Sequence, residues 1–180
     1  MTKYYHEKQE LAAVNENDTI IGKEEKWKLH KEGVLHRGFT AILHVGKQII
    51  LQHRRHPVFD GVYDLSFSSH QTYREDRLED DVDAVYTGLD REWHVKKPDV
   101  LTPPLFLGVI HYQAKDEKSG YTEHEVDHIF AVNLRTIPKP NPDFAYGIHI
   151  LPKTQVMMHQ IPHNLTLAPW VSKIIEKGLL

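Results

Sequence analysis

The chain has 180 residues, 40% of them hydrophobic and 26% charged, with a formal net charge of −3; this suits one globular domain over residues 1–180, and the charge is too small and of the wrong sign for nucleic-acid binding. No apolar run is long enough to span a membrane, and the polar stretch Met1 to Glu10 lacks the apolar region of a secretory signal, so the expected location is cytoplasmic. There are no cysteines, which excludes disulfides, thiolate metal sites and cysteine nucleophiles, whereas the 14 histidines form a high count.

In chain order, Leu11 to Gly22 reads as a hairpin, because the turn-forming cluster Asn15-Glu16-Asn17-Asp18 separates Val14 from Thr19-Ile20-Ile21. Lys23 to His30 reads as a short charged helix. Phe39, Ala41 to Leu43 and Val45, then Gly46-Lys47, then Ile49 to Leu51, describe two buried strands joined by a tight turn. Val62 to His70 is a further extended segment. Leu78 to Val95 is the best helix, with Val82, Val85, Leu89 and Trp93 on one stripe and Pro98 as its stop. Pro103 to Ala114 and Glu123 to Leu134 read as strands around the polar loop Asp116 to Gly120, and Pro138 to Pro142 as a proline-rich loop. Thr166 to Lys177 is a closing helix with Thr166 as N-cap and Pro169 in its first turn. Strands interleaved with two or three helices give a mixed α/β domain. Trp93 and Leu179-Leu180 could serve as core or as surface contacts, and the oligomeric state is left open.

The sharpest local feature is Glu123-His124-Glu125-Val126-Asp127-His128. On a strand, Glu123 and Glu125 project from one face. Two such carboxylates repel unless a cation or proton intervenes. The alternative is an edge strand with both glutamates in water, and the spacing leaves the two open. Leu29-His30, Leu35-His36-Arg37-Gly38-Phe39 and Ser68-Ser69-His70 supply three histidines. Each alone reads more readily as a satisfied or surface residue, as His6, His149, His159 and His163 do. Imidazole and carboxylate donors together suit Mn, Zn or Fe.

Leu35-His36-Arg37-Gly38-Phe39, Ser69-His70, the run Tyr121 to His128 and Ala168-Pro169-Trp170 occur in the order seen in type 1 isopentenyl-diphosphate isomerases of the Nudix superfamily, and the Asn15-Glu16-Asn17-Asp18 turn matches their opening hairpin. The resemblance runs from about Leu11 to Lys177. It implies an α/β/α sandwich with a mixed sheet and a short N-terminal hairpin (11–22), a Nudix-type helix (78–95) and a C-terminal helix (166–177). It further implies that His30, His36, His70, Glu123 and Glu125 hold a divalent ion, Mn²⁺ or Zn²⁺. Glu92, with Glu79, would hold Mg²⁺ together with the diphosphate of a small-molecule substrate. Tyr112 and Glu125 match proton-transfer groups, Trp170 matches an aromatic lid over a developing carbocation, and Lys26 and Arg55 match diphosphate-binding cations.

Departures from the family pattern are equally specific. Ser68 stands where the family has its essential cysteine, and a hydroxyl is a far weaker acid than a thiol of pKa about 8.5. Gly88 replaces an arginine on the helix, and the loop after Arg55 is shortened to His56-Pro57-Val58; Arg91 or Arg54 could compensate. The Nudix helix is eroded: Tyr73 replaces its first glycine, and Glu79, Glu92 and Asp83 are the carboxylates left to hold Mg²⁺. Asp80 and Asp81 read as acids that complement the helix dipole. Three functions follow. The first is isomerisation of isopentenyl or a related prenyl diphosphate, with Ser68 in the cysteine's place. The second is hydrolysis of a small organic diphosphate, supported by Tyr63-Asp64-Leu65-Ser66, which resembles a run in isomerase-like Nudix hydrolases. The third is a non-catalytic metal- or ligand-binding module.

Overall fold

Two long strands whose side chains are buried on both faces organise the molecule. The computed structural model describes residues 2–180, so the Met1 end of the expected domain and of the polar N-terminal stretch lies outside the described residues. The strands are β1 (Glu10–Val14), β2 (Ile20–Glu25), β3 (His36–Val45), β4 (Gln48–Arg54), β5 (Tyr63–Asp64), β6 (Phe67–Ser69), β7 (Tyr73–Arg74), β8 (Arg77–Leu78), β9 (Leu105–Lys115), β10 (Thr122–Leu134) and β11 (Ala145–Pro152). The α-helices are α1 (Lys26–Glu32), α2 (Asp81–Trp93), α3 (Lys153–Met157) and α4 (Pro169–Glu176), and a 3₁₀ turn covers Lys3–His6.

β3 and β10 pair in parallel at the centre of the sheet. β9 lies antiparallel to β10, and the far edge of β3 is shared by β1, β6 and β4. One face of this mixed sheet buries Ile42, Ile110 and Ile129 against Trp170, Val171 and Ile174 of α4. The other buries Phe39, Leu43 and Phe130 against Val85, Leu89 and Trp93 of α2. Helices on both faces make the expected α/β/α sandwich.

Several boundaries differ from the sequence reading, for physical reasons. α1 starts at Lys26 because the Glu25 side chain caps it, accepting from the Lys28 N–H at 2.9 Å. The extended segment 62–70 breaks at Ser66, whose φ is 72° and whose hydroxyl donates to the Ile50 carbonyl while accepting the Leu43 N–H. Leu78 belongs to the small β7–β8 hairpin, and α2 begins after the Asp80 N-cap. His94, in the left-handed region at φ 54°, ends α2 before Pro98 can. Ala168 precedes α4, and Thr166 instead offers its carbonyl to Tyr63 N–H. Trp93 is core, and Leu179 and Leu180 pack against the α4 side. No helix among the described residues is long and apolar enough to cross a membrane.

Candidate active site

Strand register assembles the site. β10 sets Glu125 beside His36 of β3, and β9 sets Tyr112 opposite Glu125. Glu123, Glu125 and Asp127 therefore share one side of β10 with His36, Gly38 and Thr40 of β3. α1 delivers His30, fully buried in its last turn, and His70 enters directly after β6.

The donor atoms of His30, His36, His70 and Glu123 all lie within 4.8 Å of one another. His30 Nδ1 sits 2.7 Å from the Lys26 carbonyl and His36 Nδ1 2.8 Å from the Val34 carbonyl. The tautomer that satisfies these bonds carries its proton on Nδ1 and turns the Nε2 lone pair to the centre. His30 Nε2 is 3.1 Å from Glu123 Oε2, and Glu125 Oε1 is 2.8 Å from His70 Nε2 and 3.6 Å from His36 Nε2. All three Nε2 atoms and Glu123 Oε2 are nonetheless buried without hydrogen-bond geometry to any partner. Each such atom costs about 1–3 kcal/mol if left unpaired, and one divalent ion would satisfy all four. The residues present thus fit a metal of the imidazole–carboxylate class.

The buried charges of the cluster lean on one another. Burial opposes charge on Glu123, but His30 holds its carboxyl below the usual range; His36 and His70 do the same, more strongly, for Glu125. Burial pushes His70 down to about 4, leaving a neutral ring with an available lone pair. His36 is buried too, yet Glu125 holds it up. Tyr112 donates to Glu125 Oε2 at 2.5 Å, and burial, then the charge of Glu125, push the phenol well above its ordinary value.

A cavity of about 20 Å³, room for about one water, adjoins this cluster. Tyr112, Glu125, Ser68, Trp170, Glu92 and Lys26 all reach it. Trp170 lies 5.4 Å from the Tyr112 ring, and its Nε1 donates to Asp64 Oδ1 at 2.8 Å. Asp64 Oδ2 accepts from Arg54, whose guanidinium sits 5.1 Å from the Trp170 ring. Ser68 Oγ is 2.8 Å from Thr40 Oγ1, which donates to Asp127 Oδ2 at 2.8 Å. Burial, then the neighbouring Glu125, raise Asp127 well above the usual carboxylate range.

Three residues expected at the site are elsewhere. Arg55 is exposed and donates to the Pro142 carbonyl at 2.9 Å; its neighbour Arg54 is the one that reaches the cavity. Glu79 precedes α2, accepts from the Thr87 hydroxyl at 2.9 Å and lines an open groove on the outer side of that helix, as Asp83 does. The helix therefore brings Glu92 alone to the cavity, where Arg91 donates to it at 2.8 Å. Gly88 has a packing reason: a Cβ there would stand 2.4 Å from the Phe67 ring, so no arginine fits. Sequence reasoning missed Thr40 and Asp127, which only the β3–β6 and β3–β10 registers connect to Ser68, and it missed Asp64, Tyr4 and Tyr5 as parts of the site.

No family model matches the chain. It is 26% identical to human isopentenyl-diphosphate delta-isomerase 2 over 94% of this chain and 82% of that one. Against three plant isopentenyl-diphosphate isomerases it spans 61–66% of their length. Among solved structures, DR0079 from Deinococcus radiodurans superposes with a TM-score of 0.67 at 15% identity, covering 93% of this chain and 98% of that one. A MutT NUDIX hydrolase from Burkholderia pseudomallei superposes with a TM-score of 0.55 at 17% identity, covering 79% and 96%.

Proposed function

We propose that the chain is an isopentenyl-diphosphate isomerase-like protein of the Nudix superfamily and, from that premise, a metal-dependent isomerase that moves the double bond of isopentenyl or a related small prenyl diphosphate. At the coarser level it is a Nudix-type enzyme acting on diphosphates. The observation that carries the finer reading is that two separate proton-bearing groups, Tyr112–Glu125 and Ser68–Thr40–Asp127, meet at one cavity.

Isomerisation adds one proton to the terminal alkene carbon and removes one from the carbon adjacent to the original double bond. Tyr112 donates to Glu125 across 2.5 Å, and the pair would exchange a proton with substrate on their side. Ser68 alone is too weak an acid or base for the second transfer. Thr40 connects it to the buried Asp127 carboxyl, and rotation of two hydroxyls would pass a proton either way along that chain. One pair gives and the other takes, so the carbon skeleton gains no net proton and the enzyme resets through solvent. Trp170, fixed by Asp64, would face the transient positive charge on carbon. Lys26 and Arg54 would bind the diphosphate. Bound at the histidine–glutamate cluster and at Glu92, divalent ions would organise the carboxylates and neutralise the diphosphate, respectively.

Hydrolysis is the second reading, on the strength of Tyr63-Asp64-Leu65-Ser66. It is the weaker one, since Glu79 and Asp83 face outward and Asp64 is committed to Arg54 and Trp170. The test is a proton and phosphorus NMR time course with isopentenyl diphosphate, Mg²⁺ and Mn²⁺. Dimethylallyl diphosphate is the expected product. Phosphate release without double-bond movement would establish hydrolysis instead, and binding without turnover would leave a ligand-binding module.

A further inference from the structure

The cavity is too small for any diphosphate, and its lid is part of the chain. The 3₁₀ turn Lys3–His6 presses Tyr4 and Tyr5 onto it, and both rings line its wall. Tyr5 is 6% exposed; its ring packs edge-on against His56 at 4.9 Å, and its carbonyl accepts from Trp27 Nε1 at 3.1 Å. Tyr4 and Tyr5 also pack against Phe144.

Beneath these rings lie cations with donor capacity left over. Lys26 is 3% exposed, makes no ion pair among the described residues and has only a 3.4 Å bond to Gln9. Its ammonium instead sits 5.4 Å from the Tyr4 ring, 6.0 Å from Tyr5 and 5.0 Å from Trp27. The Arg91 guanidinium bonds Glu92 and Ser69 through one amino group and lies 4.2 Å from the Tyr4 ring, with its Nε buried and unpaired. Arg54, 4% exposed, likewise has an unpaired Nε. Gly88 has no room for a cation, and Arg91, one helical turn further on, supplies one at the cavity's rim.

We infer that Tyr4 and Tyr5 form an internal plug in the diphosphate pocket, holding by their ring faces Lys26 and Arg91, the cations that grip the diphosphate when substrate displaces the turn. This rests on the diphosphate reading above and adds Arg91 to the binding set. Phosphate oxygens make stronger, charge-assisted bonds to these cations than aromatic rings do, so ligand and plug exclude one another and the apparent affinity carries the cost of opening.

The test uses the full chain with inorganic diphosphate and Mg²⁺ as the probe. A Tyr4→Ala/Tyr5→Ala variant should bind the probe at least about fivefold more tightly than the parent, and EDTA should strip its Mn²⁺ at least about fivefold faster. Tyr4→Phe/Tyr5→Phe, which keeps the rings over the cations, should behave as the parent in both assays and guards against an effect of misfolding. Weaker or unchanged probe binding in the alanine variant would overturn the plug, since the tyrosines would then be ligand contacts or bystanders. Faster stripping with no probe binding in any of the three proteins would overturn the diphosphate reading itself while leaving the closure in place.

Discussion

Gly38→Ala probes the metal centre without replacing any of its donors. Gly38 is buried on β3 beside β10, and its backbone lies outside the left-handed region, so alanine brings no torsional strain. The added Cβ would stand 2.6 Å from Glu125 Oε1 and 2.9 Å from Oε2, where ordinary contact starts near 3.4 Å. The Glu125 carboxylate must therefore retreat by roughly 0.8 Å, the difference between those distances. It cannot do so and keep both the 2.5 Å bond from Tyr112 and the 2.8 Å approach to His70. Metal sites tolerate distance errors of about 0.2 Å, so Mn²⁺ affinity should fall about 10- to 100-fold, the usual effect of disturbing groups around the ligands. The overpacking should cost about 1–3 kcal/mol, which leaves the protein folded. Titration calorimetry with Mn²⁺, with urea unfolding in parallel, measures both. A folded Gly38→Ala protein whose Mn²⁺ affinity lies within about threefold of the parent would refute this account of Glu125.

Three other outcomes are expected. The parent should bind one transition ion per chain at the histidine–glutamate cluster, and Glu123→Gln/Glu125→Gln should lose it; metal analysis showing none in the parent after Mn²⁺ or Zn²⁺ incubation would remove the site. Asp64→Ala leaves Arg54 buried without its carboxylate and should cost about 3–5 kcal/mol in urea unfolding, most of it recovered by adding Arg54→Met; a loss under about 1 kcal/mol, or no recovery, would contradict the pairing. His128 bonds Asp81 and Asp18, each at 2.8 Å, with Arg37 behind Asp18. Burial opposes its charge, but the two carboxylates raise it above its ordinary value. A raised folded value stabilises below the unfolded pKa of about 6.5 and is lost as pH rises through the folded value. His128→Gln should therefore be more destabilising at about pH 6 than at about pH 9, and an equal loss at both would show that the charge plays no part.

The long elements were legible because their patterns are local. Apolar runs in β3 and β10 and the stripe Val82, Val85, Leu89, Trp93 on α2 marked both layers of the core. The shared face of Glu123 and Glu125 followed from strand period alone. Convergence with the histidines did not, since α1, β3 and β6 meet there only through tertiary packing. β11 carries four half-buried residues in a row, Gly147 to Ile150, and so shows no alternation to read. Arg54 and Arg55 are adjacent, and only the burial of β4 decides which one faces the cavity. Glu79 fits a helix motif by spacing, yet the β7–β8 hairpin ends just before it and turns it outward. Tyr4 and Tyr5 lie in a polar stretch with no periodicity, and the cations that hold them are distant in sequence.

Carbon–hydrogen exchange tests the proposed chemistry most directly. Isopentenyl diphosphate incubated with the parent protein, Mg²⁺ and Mn²⁺ in D₂O should take up deuterium at carbon, read by proton NMR of the recovered diphosphates. Ser68→Cys should speed the exchange by at least about tenfold, and Asp127→Asn should slow it by a similar factor. Release of phosphate with no deuterium entering carbon, in the parent and in Ser68→Cys alike, would contradict proton transfer at this site and leave the fold to a hydrolase.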